Sequence, residues 1–128
     1  MSDDHYRKRL PDTRRSVTHR VAITSPNVGG PPTNLYIRLG YYDDGPVGEI
    51  FCGIGKQGST LSGVLDAWAI MTSIGLQYGV PLDAIVNKNI ESGFEPAGST
   101  SSEEIPTCTS PVDYACRYLS LHRDIGAA

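Results

Sequence analysis

The fold is decided by residues 34–54, which read NLYIRLGYYDDGPVGEIFCGI. Apolar and polar residues alternate over 34–42 and more loosely over 48–54, which is the period of a strand with one buried face. The segment Asp43-Asp44-Gly45-Pro46 between them is rich in turn-forming residues. Because the connection is so short, we expect the two strands to pair as an antiparallel hairpin.

Another strand and the longest helix are predicted on either side of this hairpin. Residues 16–23, SVTHRVAI, are rich in β-branched side chains and indicate a first strand. Residues 59–78 carry an apolar stripe at helical spacing. Ser59 or Thr60 is suited to cap this helix at its start, and Gly79 is suited to end it.

The C-terminal half predicts two further helices. A short one is expected over 82–90. Ser110 followed by Pro111 is typical of a helix start, and we expect this last helix to run to about residue 121. The segments Ser25–Pro32 and Ser92–Thr107 are rich in breakers or polar residues and are predicted as loops. The predicted fold class is therefore α+β: a small antiparallel sheet packed on one long helix, with a C-terminal helix.

Length and composition are those of one globular domain. The chain has 128 residues, 39% of them hydrophobic and 20% charged, which excludes a disordered or membrane-embedded protein. We expect a flexible basic arm over 1–13, a single domain over 14–122 and a tail over 123–128.

The positive charge is concentrated at the N-terminal end. The net charge is −3, yet residues 1–20 hold six of the eleven Lys and Arg against three Asp, a balance of +3. The other 108 residues therefore carry −6. A nucleic-acid-binding surface needs many distributed cations, so this balance excludes a broad one. It leaves room for a small anion site.

Cysteine and histidine content argue against a redox, metal or catalytic centre. The three cysteines are widely spaced, which suits a reducing cytoplasm better than a disulfide framework. The sequence shows no signal peptide and no apolar run long enough to span a membrane. No ligand spacing joins the histidines to the cysteines, and no nucleophile is placed beside a base. We predict a cytoplasmic protein without cofactor, metal or catalytic residues.

Two segments are candidates for an anion site. The first, GIGKQGST over 53–60, precedes the long helix, and its candidate ligands are Lys56, Gly58, Ser59 and Thr60. A helix N-terminus attracts anions through its free N–H groups and its dipole. The segment fits neither a dinucleotide fingerprint nor a Walker A loop, and a plain strand-to-helix turn is the favoured alternative.

The second candidate anion site is the group Arg14, Arg15 and His19. Guanidinium groups grip phosphate through two parallel hydrogen bonds, so these residues are suited to act as an anion clamp. The alternative is a solvated entry to the first strand.

Several blocks of sequence, in order along the chain, resemble one known family. They are Leu10-Pro11-Asp12-x-Arg14-Arg15-Ser16-x-Thr18-His19, Gly45-x-x-Gly48-Glu49-Ile50-Phe51, Lys56-x-Gly58-Ser59-Thr60-Leu61-Ser62-Gly63, Leu76-Gln77-Tyr78-Gly79-Val80-Pro81-Leu82, Phe94-Glu95-Pro96-x-Gly98, Glu104-Ile105-Pro106 and Ser110-x-x-Asp113-Tyr114. Together they resemble the C-terminal TSCPD domain of adenosylcobalamin-dependent, class II ribonucleotide reductases. The resemblance runs from about residue 10 to residue 121. Gly53 and Gly55 depart from the family pattern, as do the length and proline content of the Ser25–Pro32 loop.

The resemblance implies a domain and not the reaction. Those reductases form deoxyribonucleotides by cysteine radical chemistry in a barrel much larger than this chain. The barrel, its radical cysteine, the cobalamin site and the redox cysteine pair have no counterpart here. The resemblance therefore implies a non-catalytic chain.

Three hypotheses of function follow. The first is an accessory module of deoxyribonucleotide synthesis that acts on a reductase catalytic subunit. The second is a free-standing protein, such as a phage-type binder, that binds or sequesters a nucleotide-like anion as a homo-oligomer. A structural or assembly domain without a small ligand is the third.

Overall fold

Five antiparallel strands form one sheet, in the order β3-β2-β1-β4-β5. The computed structural model describes residues 6–27, 29–55 and 59–126. The strands and helices have the following bounds: β1 Ser16–Thr24, β2 Thr33–Tyr41, β3 Val47–Ile54, α1 Thr60–Gln77, α2 Leu82–Asn89, β4 Gly98–Thr100, β5 Thr107–Cys108 and α3 Pro111–Leu121. The predicted α+β class and the predicted hairpin of β2 with β3 are confirmed.

The three long strands are the centre of the sheet, and their register fixes its two faces. Leu39 of β2 pairs with Val17 of β1 and with Ile50 of β3. These side chains lie on the face that turns toward the core. Neighbouring positions, such as Arg38 opposite Phe51, lie on the other face. Burial alternates along most of β1 and β2, as the alternation in their sequence predicted, whereas residues 47–50 of β3 are all buried.

The helix α3 lies in the core. Eight of its eleven residues are buried. Ser110 caps its start by accepting a hydrogen bond from the Asp113 N–H, and Pro111 follows at the first helical position, as predicted. Leu65 and Ala69 of α1 and Val86 of α2 belong to the same hydrophobic cluster.

The helix α1 covers the outer edge of β3. Ser73 of α1 accepts a hydrogen bond from the Ile50 N–H at 2.9 Å and donates one to the Ile50 carbonyl at 3.1 Å. Gln77 donates to the carbonyl of Gly48 at 3.0 Å. These backbone groups point away from β2, so α1 takes the place of a further strand. An edge strand that would otherwise invite pairing with another chain is thereby closed.

Two short strands were missed by the sequence prediction. Residues 92–107 were expected to be a loop, yet β4 lies within them and β5 begins at Thr107. With three and two residues, these strands are too short to show an alternating pattern. Their pairing depends on β1, since Ile23 and Thr24 of β1 pair with Thr100 and Ser99 of β4. The sequence does not carry this long-range contact as a local signal.

The segment before β1 has backbone contacts with the rest of the fold. The Lys8 N–H donates to the Gln77 carbonyl at 2.8 Å. The Tyr42 hydroxyl donates to the Lys8 carbonyl. Residues 6–13 of the predicted basic arm have these contacts and no helix or strand, and residues 1–5 lie outside the described residues.

Candidate functional site

Arg14, a predicted clamp residue, is held by an ion pair at the start of β1. Its Nε and Nη2 donate to the two carboxylate oxygens of Glu49, at 2.5 and 2.9 Å, and its Nη1 donates to the Pro11 carbonyl at 3.0 Å. The hydrogen bond with Glu49 raises the pKa of Arg14. All three guanidinium nitrogens therefore already donate within the fold, and Glu49 takes the place that an external anion would occupy.

Arg15, the neighbouring clamp residue, is exposed. Its Nη2 donates to the Asp43 carbonyl at 3.2 Å, across the β2–β3 turn. A single long hydrogen bond to a backbone oxygen leaves its other donors facing solvent. The exposure of Arg15 therefore fits the alternative prediction, in which this segment is a solvated entry to the first strand.

His19 lies on the opposite face of the sheet, against α3. Its ring stacks on Tyr118 with centroids 4.4 Å apart, and a 2.7 Å hydrogen bond joins its Nε2 to the Tyr114 hydroxyl. Tyr118 stacks in turn on His122, whose Nε2 lies 3.0 Å from a carboxylate oxygen of Glu104. Burial, and then the nearby His122, lower the pKa of His19. No local pattern in the sequence indicated this stack of His19, Tyr118 and His122, because its members come from two distant segments.

The second predicted site is described only at its helical end. Ser59 is the N-cap of α1, and its Oγ accepts a hydrogen bond from the Ser62 N–H at 3.1 Å. Thr60 is exposed in the first turn. Lys56 and Gly58 lie outside the described residues. The cap that we predicted for this helix is confirmed at Ser59.

The two predicted anion sites lie at opposite ends of the sheet. Glu49, which holds Arg14, pairs with Gly40 opposite Ser16, whereas Ser59 and Thr60 come after Ile54, at the far end of β3. Ile54 is five residue steps along β3 from Glu49, which is about 17 Å at 3.3–3.4 Å per residue. The structure therefore does not bring Arg14 and Arg15 together with Ser59 and Thr60.

Asp113 is a buried carboxylate in the first turn of α3, and the sequence analysis names it only within a family motif. Its side chain is 1% exposed. It accepts hydrogen bonds from the N–H groups of Glu91 and Thr109, at 2.6 and 3.0 Å, and from Arg117 Nε. Burial raises its pKa, but these hydrogen bonds outweigh burial and leave the pKa below its ordinary value. Asp113 therefore ties two loops to α3.

A cleft of about 490 Å³ lies beside α3 and β5. Ile90, Ile105 and Leu121 contribute apolar walls, and Arg117 and Thr107 contribute polar groups. The charge of Arg117 is balanced by Asp113. Glu104 also lines the cleft, and one of its carboxylate oxygens lies 3.0 Å from His122 Nε2.

The three cysteines are buried free thiols: Cys52, Cys108 and Cys116. Burial raises the pKa of Cys52 and of Cys116 to about 12 and also raises that of Cys108. Thiols with such pKa values are protonated at neutral pH, and the nucleophile and metal ligand is the thiolate. Across the described residues, no group of three or more His, Cys, Asp or Glu is placed to hold a metal ion.

Large apolar side chains are exposed on two faces of the described structure. On the outer face of the sheet, Tyr36 and Phe51 are 42% and 43% exposed, and the Arg38 guanidinium lies 4.2 Å from the centroid of the Phe51 ring. On α1, the most exposed apolar side chains are Val64, Ile70 and Met71. None of the helices within the described ranges is both long enough and apolar enough to cross a membrane.

Comparison with known proteins identifies the family. Residues 5–123 match the TSCPD domain family. The chain belongs to the TSCPD family. The predicted family resemblance is thus confirmed, and it extends over nearly all of this TSCPD chain.

The relatives of this TSCPD chain include enzymes named vitamin B12-dependent ribonucleotide reductase. Identity is 44% over 115 residues with the protein of Rhodopirellula baltica, 45% over 115 residues with that of Streptomyces avermitilis and 40% over 116 residues with that of Bradyrhizobium diazoefficiens. Each alignment covers 90% of this chain but only 10%, 11% and 9% of the relative. The TSCPD chain therefore spans about a tenth of the length of these relatives. No solved structure matches it.

Proposed function

We propose that this TSCPD chain is a non-catalytic accessory domain of ribonucleotide reduction, which acts by binding the catalytic chain of a vitamin B12-dependent reductase. One observation carries the proposal: nine-tenths of the chain aligns, at 40–45% identity, with about a tenth of such reductases. A domain that is retained as a small part of a large enzyme acts through its contacts with the rest of that enzyme. The cytoplasmic location stays a prediction that accords with this role.

The chemistry of the described residues supports a non-catalytic role. The three thiols are buried and protonated, so none of them is an accessible thiolate. Asp113 accepts hydrogen bonds from the N–H groups of Glu91 and Thr109, and Arg14 donates to both carboxylate oxygens of Glu49.

The hypothesis of a nucleotide-like anion binder is less well supported. Arg14 is neutralised by Glu49 at 2.5 Å, and His19 faces α3 on the other side of the sheet. Ser59 and Thr60, the described residues of the second candidate site, follow Ile54, which lies about 17 Å from Glu49 along β3, so they do not share one small anion with Arg14. Phage origin and homo-oligomerisation stay predictions.

The test uses a reductase catalytic chain that has been truncated before its own TSCPD domain. This chain, added in molar excess, is expected to bind the truncated enzyme and to restore deoxyribonucleotide formation toward that of the full-length enzyme. The TSCPD chain alone is expected to form no product. A truncated enzyme that neither binds the chain nor changes its turnover would overturn the proposal.

A further inference from the structure

The outward face of α1 is an apolar surface that nothing in the described structure covers. We define the α1 outer face by its exposed residues Gly63, Val64, Ala67, Ile70 and Met71. Val64, Ile70 and Met71 are 53%, 50% and 65% exposed. At about 100° per residue, all five positions lie on the side of the helix away from Leu65 and Ala69, which enter the core.

The composition of α1 is unusual for a helix at the surface. Of its 18 residues, the one charged side chain is Asp66, on the flank near β3. Surface helices of globular proteins ordinarily carry polar and charged residues on the exposed side. Contiguous exposed apolar residues indicate an interaction site. A face of this kind is therefore expected to bury itself against another surface.

A glycine within this face supports close contact. A Cβ built on Gly63 would meet no atom within 4 Å. Nothing within the described chain thus requires glycine at this position, although glycine inside a helix costs about 1 kcal/mol relative to alanine. Close approach of another backbone would explain a glycine at this position. Ala67 lies one turn further along the helix. Because neither residue has a large side chain, a partner can approach the helix backbone there.

We infer that the α1 outer face docks onto an apolar surface of the reductase catalytic chain. This inference rests on the proposed function. In the relatives, the matching region is joined to about nine times its own length of polypeptide. The rest of the reductase chain is therefore the partner surface that adjoins this region. An uncharged face fits an apolar partner groove, because burying an unpaired charge of the partner against it is unfavourable.

A second copy of this chain fits the face less well. An 18-residue helix is about 27 Å long and about 10 Å wide, which gives a strip of roughly 300 Å². A stable specific interface buries about 800 Å² per partner. A groove on a larger protein also covers the flanks of the helix, and so buries more area than the strip alone. Tyr78 and Val80, just beyond the end of the helix, are 47% and 42% exposed and would add to this area.

The test is a charge-bearing double variant, Ala67→Glu with Met71→Lys. A Glu four residues before a Lys supports an isolated helix, so the substitutions add charge to the α1 outer face without opposing its fold. The matched control is Ala84→Glu, an exposed position of α2 four residues before Lys88. Titration calorimetry measures the binding of each protein to the truncated catalytic chain.

The double variant is expected to bind at least tenfold more weakly than the wild type, with the control within twofold of it. Equal affinity of the double variant would overturn the inference while leaving the proposed function intact. Absence of binding by the wild type itself would overturn the proposed function and this inference with it. Light scattering tests whether the face binds a second copy instead. If the wild type is a dimer, and the double variant is a monomer that still binds the catalytic chain as tightly, the face contacts a second copy. That result would contradict the inference.

A crosslinking experiment keeps the inference testable even if the double variant unfolds. A photoreactive amino acid in place of Met71 is expected to crosslink to the catalytic chain. The same group in place of Ala84 is expected not to. Crosslinking at Ala84 and none at Met71 would overturn the inference.

Discussion

At the scale of single residues, Gly40 illustrates how a side chain elsewhere in the sequence determines which residue is tolerated. A Cβ at Gly40 would lie 2.1 Å from Glu49 Oε2, and Arg14 holds that carboxylate in place. We expect Gly40→Ala to destabilise the fold by about 1–3 kcal/mol, the usual range for overpacking. The measurement is the urea midpoint. In a Glu49→Ala background the same change is expected to cost under about 1 kcal/mol, and an equal loss in both backgrounds would contradict the role of Glu49.

His19 makes the free energy of unfolding depend on pH in the mildly acidic range. Its pKa in the folded state is lowered, by burial first and by His122 second, from the ordinary value of 6.5. The unfolded chain therefore binds a proton more readily, and stability is lost as the pH falls below about 6.5. Glu104 opposes this shift, and the Tyr114 and Tyr118 rings face the imidazole from α3.

The variant His19→Phe tests this dependence. A phenyl ring preserves the stacking on Tyr118 but has no proton to gain. We expect the melting temperature of the variant to fall less between pH 7.5 and pH 5.5 than that of the wild type. A His122→Phe variant is the matched control for the neighbouring imidazole. An unchanged pH dependence in His19→Phe would contradict the assignment.

Asp113 is the residue whose loss we expect to be most damaging. The variant Asp113→Ala leaves the N–H groups of Glu91 and Thr109 without their acceptor, and each such group costs about 1–3 kcal/mol when it is buried and unsatisfied. We expect a loss of about 2 kcal/mol or more in the free energy of unfolding. Because the folded pKa of Asp113 is lowered, this contribution is complete above about pH 4 and declines at lower pH.

Guanidinium denaturation of Asp113→Ala and of Asp66→Ala makes the comparison. Asp66 is an exposed aspartate of α1, so its replacement is expected to change stability by less than about 0.5 kcal/mol. Equal effects of the two substitutions would show that Asp113 does not hold the loops.

At the scale of elements, the decisive contact is that of α1 with the edge of β3. The Ser73 hydroxyl both accepts from and donates to the backbone of Ile50. We expect Ser73→Ala to cost about 1–3 kcal/mol, because both groups of Ile50 lose their partner beside a helix. Amide hydrogen exchange at Ile50 is expected to accelerate. Ser62→Ala in the same helix is the control, and equal exchange at Ile50 in both variants would contradict this account of the edge.

At the scale of the whole molecule, the sequence predicted what local signals determine. The alternation in β2 and β3 and the caps Ser59 and Ser110 placed these elements within about one residue of their bounds. The sequence did not predict the short strands β4 and β5, because long-range pairing defines them. The ion pair of Arg14 with Glu49 spans 35 positions and the hydrogen bond of His19 with Tyr114 spans 95. Spacing along the chain does not indicate which partners such residues find.

The proposed function of the whole molecule rests on what the described residues engage inside the fold and what they leave exposed. Of the side chains predicted to bind an anion, Arg14 and His19 have hydrogen-bond partners inside the fold. The α1 outer face is apolar and no described residue covers it. An uncovered apolar helix face accords with the proposal that this domain contacts another protein, since the reductases that it matches are about ten times its length.

The most direct test of this account compares the affinity of the chain for two forms of one vitamin B12-dependent reductase. One form is full-length, and the other lacks its own TSCPD domain. Titration calorimetry is expected to show binding to the truncated form and at least tenfold weaker binding to the full-length form, whose own domain occupies the same place. No binding to the truncated form, or equal binding to both, would contradict the account.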